Sequence, residues 1–148
     1  MSARPDHPGI AALIPHAGRM CLLDDVLAWD ADRIRCRTRS HLAGDHPLRD
    51  ADGLKALHLC EYGAQAMAVH RGLLAGAAGG LAVPGLLAAL RSVRLHASHV
   101  HELDGWLEVE AERLLDSGAG WLYAFRVLHQ GRLLAEGRAI VIHPETAP

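Results

Sequence analysis

The sequence predicts an α+β fold in which one antiparallel sheet wraps around a single long helix. Three observations carry this. Residues 54–74 contain no proline, are rich in good helix formers and are apolar nearly all round, the pattern of a helix buried on every side. The other regular segments read as strands, two before the helix and four after it. Short turn signals separate the last four strands, and such turns join antiparallel neighbours. At 148 residues the chain has the size of one domain, spanning 1–148.

The elements follow in order. Residues 22–30 and 32–39 form two strands around the turn Asp30-Ala31-Asp32. In the second, Ile34, Cys36 and Thr38 share one face, and Arg33, Arg35, Arg37 and Arg39 form a solvated row on the other. A polar loop, 40–53, holds His41, Gly44, Asp45, His46 and Pro47 and leads to the helix. After a glycine-rich turn come strands over 86–96, 106–115, 119–129 and 132–143, punctuated by Asp104-Gly105, Ser117-Gly118 and Gln130-Gly131. Glu108, Glu110 and Glu112 alternate with Leu107, Val109 and Ala111, again a one-sided sheet. Open sheet edges are usually paired or covered, so a dimer joined edge to edge is expected.

Composition excludes several functions. Half the chain is apolar and the formal charge is −2, which fits neither a broad basic nucleic-acid surface nor an acidic disordered protein. Cys21, Cys36 and Cys60 are odd in number and widely spaced, which argues for reduced thiols in a cytoplasmic setting over a disulfide frame or zinc site. Residues 1–16 carry two early prolines and no long apolar core, unlike a secretory signal. Residues 72–90 are nineteen uncharged positions between Arg71 and Arg91, nominally enough for a membrane span. They contain five glycines and Pro84, so a helix end, a turn and the start of a strand are expected instead. The run 76–85 lacks the Gly-Lys-Ser/Thr ending of a phosphate loop, and no Gly-x-Ser-x-Gly elbow is present.

The few polar residues of the buried helix are informative. His58, Glu61 and Gln65 fall at i, i+3 and i+7, along one face. An unpaired buried carboxylate is costly, so Glu61 is singled out as a functional group. Burial disfavours the charged form of a carboxyl, which suits a general acid. A histidine is the natural base near neutral pH, and His46, His41 and His58 are the candidates. His16 is expected to pack in the N-terminal turn. His96, His99 and His101 cluster, but no Cys or carboxylate pattern completes a metal site.

Three motifs carry a family resemblance. Residues 14–26, Ile-Pro-His-Ala-Gly-Arg-Met-Cys-Leu-Leu-Asp-Asp-Val, resemble the opening of the 3-hydroxyacyl-[acyl carrier protein] dehydratases, enzymes of the hotdog fold. Residues 61–68, Glu-Tyr-Gly-Ala-Gln-Ala-Met-Ala, are similar to that family's central-helix motif. Residues 92–96, Ser-Val-Arg-Leu-His, are similar to its following strand. Within the family, the dehydratase-like proteins of aryl-polyene gene clusters are the branch suggested. The resemblance implies a hotdog fold and dehydration of a 3-hydroxyacyl thioester carried on an acyl carrier protein. It implies His46 as base and Glu61 as acid, contributed by different subunits of a homodimer or of a heterodimer with a homologue. It further implies Gln65 and His58 beside the substrate, Gln65 either bonding the acid or satisfying a core backbone group, Arg91 and Arg94 near the carrier, and no metal or redox cofactor. The helix N-terminus would polarise the thioester carbonyl. Two departures from the family pattern stand out. His46 lies one residue further from Glu61, and Asp52-Gly53 replaces the Pro-Gly before the helix. A hotdog thioesterase and a catalytically weak partner subunit are the alternative readings.

Overall fold

A computed structural model of the chain describes residues 9–10, 20–80 and 85–142. His16 and most of the N-terminal motif lie outside these residues. Six strands form one antiparallel sheet: β1 (Asp25–Trp29), β2 (Arg33–Thr38), β3 (Leu86–Leu95), β4 (Leu107–Ser117), β5 (Gly120–His129) and β6 (Arg132–Ile142). Their order across the sheet is β1-β2-β4-β5-β6-β3. The helix α1 (Leu59–Ala77) packs against β4, β5, β2 and β6, as the sequence pattern predicts.

Alternation decides which sheet face meets the helix. Ile34, Cys36, Val109, Ala111, Tyr123, Phe125 and Val127 are buried, whereas Arg33, Arg35 and Arg126 are exposed on the other face. On that outer face Arg33 stands opposite Glu112 and Arg35 opposite Glu110, a cross-strand charge ladder. The arginine row is not simply solvated. Arg37 binds Asp25 at 3.0 Å, and both Arg37 and Arg39 lie 4.0 Å over the Trp106 ring.

Local chemistry sets the boundaries. Asp30 Oδ1 accepts the Asp32 and Arg33 N–H groups and so closes the β1–β2 turn. Gln130 and Gly131, both at positive φ, make the two-residue hairpin between β5 and β6. The helix ends in a Schellman motif: Gly80 N–H reaches Ala75 O, Gly79 N–H reaches Gly76 O, and Gly79 takes φ +80.

Two predicted boundaries move. The helix begins at Leu59 rather than at 54, because Val100 N–H binds Leu54 O, Ala56 N–H binds Ser98 O, and Lys55 bridges His99. Residues 56–58 then make one 3-10 turn. The first strand begins at Asp25 rather than at 22, since Leu22 is claimed by side chains, its N–H by Gln65 and its carbonyl by Thr38. Residues 72–90 divide into the end of α1, the glycine turn and β3, with 81–84 outside the described residues. Among the described residues no helix is long and apolar enough to cross a membrane.

β3 is an edge strand that exposes Leu87, Leu90 and Leu95. It bulges between Arg91 and Arg94, where Ser92 takes φ +54.

Candidate active site

Glu61 lies in the first turn of α1 and is half-buried rather than enclosed. One turn later Gln65 is fully buried. Its Nε2 donates to Met20 O at 2.5 Å and to Glu61 Oε1 at 3.4 Å, and its Oε1 accepts Leu22 N–H at 2.9 Å. Its amide thus ties the segment entering β1 to the helix and meets the Glu61 carboxyl.

The three candidate bases differ sharply. His41 is fully buried and donates from Nε2 to Leu103 O at 2.6 Å. Burial lowers its pKa, so the ring is neutral. His46 is 5% exposed. Its Nδ1 accepts Leu48 N–H at 3.0 Å, so the proton sits on Nε2, which donates to Tyr62 Oη at 2.9 Å. The chain continues from Tyr62 Oη to Ser40 Oγ at 2.8 Å, and through Thr38 Oγ1 to the Leu22 carbonyl. Burial and then the neighbouring His58, His41 and Arg49 lower the His46 pKa, and burial pushes the Tyr62 hydroxyl up to about 12. His58 occupies the 3-10 turn ahead of α1 and is half-buried. The sequence reading placed it inside a packed helix, but early pairing of residues 54–56 leaves it on the turn instead.

Two of the N–H groups entering the helix are already engaged. His58 N–H binds Lys55 O, and Leu59 N–H binds the Ala56 and Leu57 carbonyls. What remains there is the helix dipole, with no side-chain cap against it. Arg91 and Arg94 are exposed on β3, opposite Arg138 and Glu136. They stand on the far edge strand, whereas Glu61 is on α1.

Several groups escaped the sequence reading. Tyr62, read only as a motif letter, is the hub of the His46 network. His70 is buried, accepting from Tyr123 Oη and donating to Asp30 O, both at 2.8 Å. The signal for both was a polar ring in an otherwise apolar helix. Burial raises the thiols of Cys21, Cys36 and Cys60, Cys36 to about 12, so none is a ready thiolate.

The 96–101 histidines disperse. His96 pairs with Glu136 at 2.9 Å, His99 with Ser98, and His101 accepts Leu54 N–H at 3.1 Å. Among the described residues no group of three ligands converges on a metal site. A groove of about 410 Å³ lies along β1, β2, β4 and β5, lined by Trp29, Arg33, Arg35, Glu110, Glu112 and Arg126. None of the candidate acid–base residues lines it.

The solved dehydratase heterocomplex ApeI:P from Xenorhabdus doucetiae is 21% identical, covers 95% of this chain and 93% of that one, and superposes with a TM-score of 0.84. The E. coli PaaI protein of the phenylacetic acid degradation operon is 12% identical, with 80% and 82% coverage and a TM-score of 0.59. A hypothetical thioesterase protein of Streptococcus pneumoniae, solved as a mutant, is 15% identical, with 81% and 89% coverage and a TM-score of 0.53. At such identities the likenesses show the fold, and that fold is the hotdog the motifs implied. No curated protein matches the sequence. The profile of the ApeP-like family, described as ApeP dehydratase, matches residues 8–148. By that match over nearly its whole length, the chain belongs to the ApeP-like dehydratase family.

Proposed function

We propose that this dehydratase removes water from a 3-hydroxyacyl group held as a thioester on the phosphopantetheine arm of an acyl carrier protein, in aryl-polyene or fatty-acid assembly. The observation that supports this most is Glu61 at the head of the central helix, half-open and held by a Gln65 that is itself anchored to the Met20 and Leu22 backbone. In the elimination a base takes the α-proton, and the freed electron pair becomes the Cα=Cβ bond. The β-carbon–oxygen bond breaks, and the Glu61 carboxyl protonates the departing hydroxyl, releasing water. Negative charge that grows on the thioester oxygen is favoured beside the positive end of the α1 dipole. Nothing is oxidised or reduced, so the chemistry calls for no redox cofactor.

The working assembly pairs two hotdog subunits through the β3 edge. That strand exposes three leucines and an unpaired ladder, a surface that soluble proteins normally cover. A homologous second subunit is the partner favoured, since the similar Xenorhabdus doucetiae structure is a dehydratase heterocomplex. Arg91 and Arg94 on the same strand would meet the acidic surface of a carrier protein.

A thioesterase reading draws on one observation, that both ring nitrogens of His46 are engaged while a carboxylate alone can activate water. Mass spectrometry of a 3-hydroxyacyl pantetheine, incubated with the chain alone and co-purified with its partner, separates the two. Loss of one water from the intact thioester supports dehydration, and free acid with free thiol contradicts it.

A further inference from the structure

We infer that Arg71 reads the far end of the acyl chain, and that the substrate carries an oxygen acceptor there, a carboxylate or a phenol. This deepens the dehydratase reading above and rests on it.

The starting point is a cation that the fold does not neutralise. Nε and Nη1 of Arg71 are buried and have no hydrogen-bond partner, and among the described residues no carboxylate pairs with the guanidinium. Tyr123 beside it is no counter-ion, because burial pushes its hydroxyl up to about 12. The guanidinium lies 5.0 Å from the centre of the Trp121 ring and leans over Gly85, where an added Cβ would collide with Nη1. These neighbours hold the cation in place and leave its charge uncompensated. A charge taken out of water without a partner is costly, so the site calls for an acceptor that this chain does not supply. Nη2, the guanidinium nitrogen that is not enclosed, is the donor left for it. A carboxylate matches a guanidinium by charge, and a phenol by its acceptor oxygen.

The position of Arg71 ties it to the reacting end. From Leu59 to Leu73 every helix residue is buried except Glu61, Ala64, Ala68 and Arg71. Spacings of three, four and three put these on one side of α1, the side the sheet leaves uncovered. At 1.5 Å per residue, Arg71 stands about 15 Å from Glu61 along the helix axis. The uncovered positions between them are the two alanines. An extended acyl chain can therefore lie on Ala64 and Ala68, with its β-carbon at Glu61 and its end at Arg71. Gly85 leads into β3, the edge assigned above to the second subunit. That subunit closes the lane from outside, in keeping with a site built from two chains.

The test uses the two-subunit assembly and 3-hydroxyacyl pantetheines of matched length ending in a methyl, a carboxylate or a 4-hydroxyphenyl group. Wild type should favour one oxygen-bearing end over the methyl end by about 10–100-fold in kcat/KM, the scale of one hydrogen bond to a charged group. Which end is favoured identifies the source of the oxygen. In Arg71→Met, which keeps a long stem without the charge, the preference should vanish. Chains too short to reach Arg71 should show no preference in either protein. A wild type indifferent to the chain end overturns the inference, as does an Arg71→Met protein that keeps the preference. Thermal melts decide whether the second subunit occupies Arg71 instead. With an unpaired buried charge removed, the Arg71→Met assembly should melt no lower than wild type. A clear drop would mean that the partner already supplies the anion, and it too would overturn the inference. If wild type dehydrates none of the substrates, the dehydratase reading itself falls, an outcome distinct from turnover without preference.

Discussion

Replacing Gly63 with alanine sets two effects of opposite sign against each other. In a helix interior, alanine is favoured over glycine by about 1 kcal/mol. Here the new Cβ would lie 2.6 Å from Cγ and Cδ2 of Phe125 and 3.0 Å from its Cβ. Carbon contacts relax near 3.5–4.0 Å, so helix and ring must part by roughly 1 Å. The atoms met are the near end of the ring, tied to β5, and the far end is hemmed in by Gly137, where an added Cβ would lie 3.0 Å from Cε1 and Cζ. The ring cannot swing aside. Overpacking of this kind costs about 1–3 kcal/mol, and the geometry places it at the top of that range. The net is a loss of about 2 kcal/mol, or a Tm lower by roughly 4–8 °C for a domain of this size. Gly63 also sits between Glu61 and Gln65, and misplacing a catalytic group by about 1 Å can cost about 10²-fold in rate. Calorimetry and turnover on Gly63→Ala, Phe125→Leu and the double variant check both effects. The two substitutions should couple, the double variant being more stable than the sum of the singles. A Gly63→Ala protein that melts higher than wild type would refute the packing reasoning.

Further outcomes follow from the same contacts. His41, His46 and His70 are held neutral, their pKa values lowered chiefly by burial, from 6.5. The unfolded chain therefore binds protons first as pH falls, so stability should be level above about pH 7 and decline below 6.5. A Tm that rises between pH 7 and 5.5 would contradict this. Gln65→Leu strands Leu22 N–H and Met20 O, at about 1–3 kcal/mol each, and should lower both chemical stability in urea and kcat. A variant as stable and active as wild type would deny Gln65 its double role. Changing Arg91 and Arg94 together to Glu should slow carrier-bound substrate more than a pantetheine analogue, with the gap closing at high salt. Equal losses on both substrates would place the arginines elsewhere than at the carrier.

Much of this was legible because it is periodic. Alternation in β2 and β4 and the all-round apolar pattern of 54–74 each report burial directly, and the sheet and helix follow from them. Ends were less legible, because they depend on partners far away in sequence. The helix starts late since residues 54–56 pair with 98–100, and β1 starts late since Gln65 and Thr38 capture Leu22. At the site, the motif singled out Glu61 and Gln65, but not which backbone groups Gln65 would bind, since Met20 and Leu22 lie more than forty residues away. The tautomer of His46 could not be read at all, because it is set by Leu48 N–H on one side and a tyrosine sixteen residues away on the other. A histidine in a loop looks the same in any sequence, and only the structure shows which atoms its ring bonds.

For Glu61 as the proposed proton donor, one substitution is the direct test. Glu61→Gln keeps the shape and can still meet the Gln65 amide, but it has no proton to give the leaving hydroxyl. Steady-state formation of the enoyl thioester from a 3-hydroxyacyl pantetheine, measured on matched wild-type and Glu61→Gln preparations with equal Tm, is the decisive comparison. With Glu61 as the acid, kcat falls by about 10²–10⁴-fold with KM nearly unchanged. Wild-type turnover in the variant would contradict it.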